Sequence, residues 1–350
     1  MAEKVLVGMS GGVDSAVSAY LLKNDGYETE GVNCRFFKGA DVFACDNPSD
    51  TEDAKLTAEK LGIPFHIFEF YDDFKHCVID NFILTYEKGA TPNPCVVCNK
   101  HLKFGSMLKK AEEKGFDKIA TGHYANIEKH GDRYLLRKGN DITKDQSYVL
   151  YCLSQYQLAH TLFPLGKYTK AQVREIAQSI NFVSARKSDS QDICFIPDGK
   201  YAEFIEKYSG KKYPDGEFVD MAGKVLGTHK GIIRYTVGQR KGLGLALPAP
   251  MYVKEKNIEE NKVILCDNET LFTRTLEAEN INFIPFDKLD APLRVKAKTR
   301  YKHIEQWATV EQTDEDCFRL TFDEPQRAIS KGQSVVLYDG DYVVGGGIIK

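Results

Sequence analysis

The chain has 350 residues, 47 of them Lys or Arg and 50 Asp or Glu, for a formal charge of −3 at pH 7. With 42% hydrophobic and 28% charged residues it has the composition of a globular protein of about two or three domains, which excludes disorder; no apolar run approaches the ~18 residues of a membrane span. The near-zero charge by itself argues against a generic polyanion binder.

Met1–Gly8 runs straight into a strand-like stretch without the apolar region and cleavage site of a leader, so a cytoplasmic protein is expected. Lys4–Met9 reads as a short strand, followed by a glycine-rich turn and a helix over Ala16–Lys23. Glu28–Asn33 and Phe65–Phe70 read as strands, Asp50–Leu61 and Asp72–Glu87 as helices, and Lys118–Thr121 as a further strand. This alternation predicts an α/β fold, a doubly wound parallel sheet whose ligand sits at the carboxyl ends of the strands. Ser147–Ser179 reads as mostly helical, with a capping box at Thr169–Gln172 opening Lys170–Ser179. After about Tyr213 glycines and short β-rich runs dominate: Gly231–Val237, Lys262–Cys266, Leu293–Thr299, Phe318–Phe322 and Ser334–Leu337. They predict one or two small antiparallel barrels. The expected units are 1–200 (with a helical region at about 145–200), a central β-rich domain 201–275 and a C-terminal β-barrel 276–350.

Charge is spread unevenly. Gly39–Glu87 holds eleven acids against three lysines, whereas Lys100–Lys138 holds ten basic residues against five acids. Met221–Lys241 and Pro292–Ile304 each hold five basic residues and no acid. These stretches either converge on one phosphate-binding surface or are solvated faces pointing different ways. The nine cysteines are odd in number and irregular in spacing, so a disulfide framework is not expected. Only Cys95 and Cys98 form a C-x-x-C, which suits a redox pair, half a zinc site or part of a cluster site.

Between the first strand and its helix stands Val7-Gly-Met-Ser10-Gly-Gly-Val-Asp-Ser15. Its glycines, hydroxyls and following helix N-terminus suit an anion, yet it lacks the lysine of a Walker A loop and the spacing of a Rossmann turn. Ser10–Ser15 resembles the pyrophosphate loop of the N-type ATP pyrophosphatases. Further strings follow in order: Thr91-Pro-Asn-Pro-Cys95-Val-Val-Cys98-Asn-Lys100, Thr121-Gly-His-Tyr124, Lys144-Asp-Gln-Ser-Tyr148, Asp192-Ile-Cys194-Phe195, Tyr235–Gly244, Pro325-Gln-Arg-Ala328 and Gly345-Gly-Gly-Ile-Ile349. Together they resemble the tRNA-specific 2-thiouridylase family from end to end.

That resemblance implies ATP-dependent thiolation, at C2, of the wobble uridine of tRNAs for Lys, Glu and Gln. ATP adenylates the carbonyl oxygen, pyrophosphate leaves, and AMP leaves when sulfur adds. It implies that Gly8, Met9, Ser10, Gly11, Gly12, Val13, Asp14 and Ser15 hold the triphosphate with Mg²⁺, Asp14 being a magnesium or loop-ordering residue. Cys34 and Gly122 are implied to lie against the adenosine, although Cys34 reads equally well as core packing. In the family a cysteine matching Cys194 carries a persulfide and one matching Cys98 is the nucleophile that frees the sulfur; Lys100 and Lys103 are candidates for lowering the thiol pKa values. Asn93, Pro94 and Cys95 are implied to border the target base, Lys144, Asp145 and Gln146 to touch the anticodon arm from the helical region, and His123, Arg300, Tyr301 and Gln333 to make further RNA contacts. The sequence departs from the pattern at Cys95, where the family commonly has Asp. Cys95, Cys98 and Cys194 therefore also match the ligand set of the iron–sulfur-dependent tRNA thiolases, in which three thiolates hold a 4Fe–4S cluster. The expected partners are tRNA and a sulfur donor, whether a relay protein, a cysteine desulfurase or free sulfide, with a monomer acting on one tRNA. The alternatives are another adenylating pyrophosphatase and, from a different class, a non-catalytic RNA-binding or cluster-carrier protein.

Overall fold

Strand β1 (Lys4–Gly8) carries Val5, Leu6 and Val7, none of which is exposed on either face of the sheet. That double burial is what the central strand of a parallel sheet requires. The computed structural model describes residues 2–37, 48–182, 193–196 and 198–350; Asp41, Cys45, Asp46 and Asp192, counted or quoted above, lie outside them. Around β1 the chain lays down α1 (Val13–Asn24), β2 (Glu28–Arg35), α2 (Pro48–Leu61) and β3 (Phe65–Glu69). Helix α3 covers residues 71–87 and winds wider, as a π-helix, over Lys75–Ile79. A helix absent from the sequence reading, α4, covers residues 94–113 and widens in the same way over Asn99–Ser106.

Next come β4 (Lys118–Ala120), a hairpin of β5 (Ala125–His130) and β6 (Arg133–Lys138), α5 (Gln155–Ala159), β7 (Thr161–Leu162) and α6 (Lys170–Ser179). The sheet order is β3-β2-β1-β4-β7, all parallel. Its order reverses between β1 and β4, so a crevice opens beyond their carboxyl ends. The stretch expected to be mostly helical contains two short helices with a sheet strand between them. Both helices open on full capping boxes, Ser154 with Gln157 and Thr169 with Gln172.

After α7 (Tyr201–Ser209), strands β8 (Gly216–Asp220), β9 (Val225–His229), β10 (Tyr252–Asn257) and β11 (Lys262–Cys266) form a small sheet in the order β10-β11-β8-β9. Gly231–Val237 is not a strand. Ile232 and Ile233 are both buried, which a period of two cannot do, and they sit in a 3-10 turn at Ile232–Arg234. The last six strands are β12 (Phe272–Phe283), β13 (Leu293–Lys298), β14 (Gln306–Asp314), β15 (Cys317–Arg327), β16 (Ser334–Asp339) and β17 (Tyr342–Ile349). They pair antiparallel in the order β12-β15-β14-β13-β16-β17, and β12 also pairs with β17, closing a barrel. Its interior is filled by alternate residues such as Val295, Ala297, Ala308, Val310, Phe318, Leu320, Val335 and Leu337.

The barrel docks closely on the N-terminal layer. A Cβ on Gly346 would stand 2.7 Å from the Tyr151 ring, so the Gly345–Gly347 run is what lets β17 lie against it. Tyr148 and Tyr151 donate to the Ser334 carbonyl and hydroxyl at 2.7 and 3.3 Å, and Asn282 donates to the Tyr151 and Leu153 carbonyls. No described helix is long and apolar enough to cross a membrane.

Candidate nucleotide and thiol site

The loop leaving β1 is tied internally. The Ser10 amide donates to Ser15 Oγ at 3.2 Å and the Ser15 hydroxyl donates to the Gly12 carbonyl at 3.1 Å, at the start of α1. Met9 is buried and held by Asn33, which donates to its carbonyl at 2.8 Å. The first turn of α1 leaves its amides facing the crevice end of the sheet, an anion-binding arrangement. The loop leaving β4 closes in from the other side: a Cβ on Gly122 would lie 2.9 to 3.0 Å from Asp14 and Ser15 backbone atoms, so only glycine allows this approach.

Asp14 is engaged by groups distant in sequence. The Lys170 ammonium donates to both carboxylate oxygens at 2.8 Å, and the Tyr124 hydroxyl donates to Oδ1 at 2.7 Å. Lys170 is buried and sits at the first position of α6. It was missed in the sequence, where only the capping box of its helix stood out. Cys34, at the end of β2, is half-buried against the hydrophobic core, an environment that suits its core-packing reading.

The thiols gather on the neighbouring helix. Asn93 caps α4, accepting from the Val96 amide, and Pro94 occupies the first turn. Cys95 and Cys194 are exposed residues, Cys98 is buried, and none of the cysteines described is in a disulfide. Cys95, Cys98 and Cys194 lie near enough to act on one another electrostatically, with Lys103 beside Cys95 and Cys98. For Cys98 the expected lowering of the thiol pKa by a neighbouring lysine is not met. Burial pushes Cys98 up to about 12, and Lys103 opposes this only in part while the two neighbouring thiols add to it. Cys95 is raised too: the residue is exposed overall, but its surroundings desolvate the thiolate and Cys194 adds to the effect. Lys100 acts on a different thiol, the buried Cys152, where burial again prevails. The ordinary cause is desolvation of the thiolate, which outweighs one partly solvated ammonium. Among the described residues no three His, Cys, Asp or Glu are grouped so as to hold a metal ion. The three cysteines as placed therefore do not form the cradle that a cluster needs.

His123 links the two halves. It follows Gly122, accepts from or donates to the Thr121 hydroxyl at 2.7 Å, and lies between Phe104 of α4 and Phe163 at 5.7 and 5.8 Å. It is buried, and its pKa is held well below the usual histidine value by burial and by Lys103. It is therefore a neutral core residue and not a solvent-facing group. Asp145 is also buried, accepting from Gly139, from the Ser147 amide and from the Ser147 hydroxyl. Gln146 accepts from the Tyr124 amide at 3.0 Å, and Lys144 is half-buried beside them. Two barrel residues come back to this region. The Tyr301 hydroxyl donates to the Asp145 carbonyl at 3.0 Å and lies within electrostatic reach of the Cys95 thiol. Gln333 donates to the Thr91 and Pro92 carbonyls at 3.1 and 3.0 Å, holding the loop that leads into Asn93. Arg300 stands apart. Its guanidinium donates to the Ala328 carbonyl, to Ser330 at 2.8 Å and to the Val237 carbonyl at 3.4 Å, joining barrel and central sheet.

In the two later basic stretches four charges are paired locally, Lys230 with Asp215, Arg234 with Glu206, Arg294 with Asp323 and Lys298 with Glu305.

Three family models match the chain. One described as a tRNA methyl transferase HUP domain covers residues 3–198, a tRNA methyl transferase PRC-barrel domain covers 202–267, and an aminomethyltransferase beta-barrel domain covers 273–349. The chain is 51% identical over 356 residues to the tRNA-specific 2-thiouridylase MnmA of Clostridioides difficile (strain 630), an alignment covering 100% of this chain and 99% of that one. It is 50% identical over 355 residues to a tRNA-specific 2-thiouridylase of Clostridium botulinum (strain Okra / Type B1), covering 100% of both. A U34-tRNA thiolase of Methanococcus maripaludis with a [4Fe-4S] cluster superposes with a TM-score of only 0.35 at 20% identity, covering 59% of this chain and 66% of that one. The family models' descriptions speak of methyl transfer, but relatives aligned along the whole length at half identity are named for thiolation. The chain belongs to the tRNA-specific 2-thiouridylase family.

Proposed function

We propose that the protein is an ATP-dependent tRNA 2-thiouridylase acting on the wobble uridine, with the thiols of Cys98 and Cys194 as its sulfur-handling pair. The observation that carries this reading is the gathering of Cys98 and Cys194 about Lys103, which also acts on His123 in the loop that closes on the β1 crevice.

In this reading Gly8 to Ser15 and the first amides of α1 hold the triphosphate, and Mg²⁺ travels with it. Lys170 and Tyr124 keep the Asp14 carboxylate, and so the loop, in one arrangement. Gly122 and Cys34 flank the adenosine. The uracil C2 oxygen attacks the α-phosphorus, pyrophosphate leaves, and a poor leaving group becomes AMP. A persulfide on Cys194 then adds its terminal sulfur to C2 and AMP departs. Cys98 attacks the Cys194 sulfur, a Cys98–Cys194 disulfide forms, and the electron pair of the broken S–S bond stays on the sulfur now held by the base. Two equivalents of an external thiol, oxidised to their own disulfide by way of a mixed disulfide, return Cys98 and Cys194 to thiols for the next cycle. Cys98 enters as a protonated thiol, so its proton must leave when the substrate is engaged. Lys103 is the cation placed to favour that loss.

Asn93, Pro94, Cys95, Lys144, Asp145, Gln146, His123, Arg300, Tyr301 and Gln333 are proposed to form or support the RNA side. The buried ones act by shaping loops, while Tyr301 offers an open aromatic face. The units 1–200, 201–275 and 276–350 are proposed to serve as catalytic layer, central sheet and barrel clamp. Among the described residues the three cysteines are not grouped as a metal-ligand set, and in this reading the sulfur is carried by the Cys194 persulfide. The test is the release of AMP and pyrophosphate on incubation with tRNA and ATP, together with iron analysis of protein purified without oxygen. AMP release that depends on tRNA is expected, with no stoichiometric iron. AMP release without tRNA would contradict the substrate, and about four irons per chain would replace the persulfide route.

A further inference from the structure

The chain has one tryptophan, and its surroundings are unusual. Trp307 on β14 is half exposed, at 50%. On the neighbouring strand β13 it is directly opposite Lys296, and Lys296 is in turn opposite Tyr338 on β16. One transverse row thus reads Trp307, Lys296, Tyr338 across three strands. At the inner end Tyr338 is buried beneath Lys138 and Lys298, whose ammonium groups stand 4.6 and 5.5 Å from its ring. Its hydroxyl lies 3.5 Å from that of Ser147, which binds Asp145. At the outer end Trp307 is open. Arg294 and Lys296 flank its ring at 5.1 and 5.2 Å.

The alternation of β13 puts Arg294, Lys296 and Lys298 on the outer face while Val295 and Ala297 fill the barrel. Arg294 is paired with Asp323, and Lys298 faces Glu305, but Lys296 makes no hydrogen bond or ion pair with any described residue. The same strand runs on into the hairpin that carries Tyr301, Lys302 and Ile304, the last 81% exposed. Tyr301 is five residues beyond Lys296, at most about 18 Å along the chain. An open indole ring on β14, an unpaired cation beside it on β13 and, in the hairpin that joins the two strands, a second aromatic group at the thiol site are therefore close along the chain.

We infer that the outer face of β13 and β14, centred on Lys296 and Trp307, is a contact surface for the tRNA backbone beyond the target loop. It rests on the reading of tRNA as substrate. A nucleic acid satisfies what this row offers: a phosphate for Lys296, and a ribose or base face for the indole. An acidic protein would answer the charge of Lys296 but not the flat aromatic face beside it.

Because Trp307 is the only tryptophan, its fluorescence reports this face alone. The full-length protein, without ATP, is titrated with unmodified tRNA while binding is followed independently by filter retention, and Trp307 emission is excited at the red edge of its absorption. The surface predicts an emission change that saturates with the binding curve, and loss of most quenching by iodide once tRNA is bound. Lys296→Glu, on the open face of the barrel, is expected to weaken tRNA binding several-fold and to lower the slope of log affinity against log salt by about one. ATP binding should stay as in the wild type. If tRNA is retained on the filter but the emission and its iodide quenching do not move, this surface is wrong and the substrate reading stands. If no tRNA is retained at all, both fall.

Discussion

Asp14 receives two hydrogen bonds from a lysine 156 positions away and a third from Tyr124. With both oxygens engaged, its carboxylate orders the loop in the arrangement described. Lys170→Met would leave that carboxylate half-buried and unpaired. Stability should fall by about 2 kcal/mol, and AMP release in the presence of tRNA and ATP by at least ~100-fold, equivalent to roughly 2.7 kcal/mol of transition-state stabilisation. Thermal melts together with the AMP assay separate the two effects. Cys98 supplies a second test. Its thiol is raised to about 12 by burial, so in the resting protein its alkylation by iodoacetamide should be slow at neutral pH and climb without a plateau up to about pH 11. Exposed Cys194 should be modified first, as peptide mapping of briefly treated protein can show. The sign for stability follows from the same burial. The folded thiol titrates above the ordinary value of 9.0, so its contribution is complete below about pH 9 and is lost as pH rises from there towards 12.

Two elements carry most of the site's geometry, and they differ in how visible they were. The turn after β1 was legible because hydroxyls and glycines at fixed offsets stand between a buried strand and a helix. Helix α4 was not. Its start is marked by Asn93 and Pro94, but its first turns hold Val96 and Val97, and its middle widens into a π-helix with Gly105 inside it, so no period of 3.6 runs through it. That widening falls on the stretch bearing Lys103 and Phe104, the residues that connect the thiols with His123, and such distortions recur at functional sites. Lys170 was illegible for another reason: its partner lies across the fold, and its own helix reads as an ordinary amphipathic one. Gly122→Val tests the loop contact. With a Cβ already 2.9 Å from Asp14 backbone, the larger side chain must displace the pyrophosphate loop. ATP affinity measured by calorimetry should fall by at least about tenfold, with tRNA retention little changed.

At the scale of the molecule, the thiol site is completed by the barrel. Gln333 holds the loop before Asn93, and Tyr301 covers Asp145. The barrel itself was readable from short strands and glycines, yet its docking was not, because Tyr151 meets Gly346 only in three dimensions. Gly346→Leu should therefore loosen the barrel from the sheet layer, lowering the melting temperature by several degrees, about 2 to 4 °C per kcal/mol for a chain of this size or less, and reducing thiolation more than ATP binding. The resemblance implies an RNA contact for Arg300, but three of its contacts are within the protein. Arg300→Ala should accordingly disturb stability as well as tRNA binding, and a melt recorded beside the filter assay distinguishes it from Lys296→Glu. The most direct test of the whole account is nucleoside mass analysis of tRNA after incubation with ATP, Mg²⁺, and a cysteine desulfurase with cysteine as the sulfur source, for wild type and Cys194→Ser. The account predicts 2-thiouridine at the wobble position with the wild type, and AMP release without thiouridine with Cys194→Ser. Thiouridine formed by Cys194→Ser at the wild-type rate would contradict it.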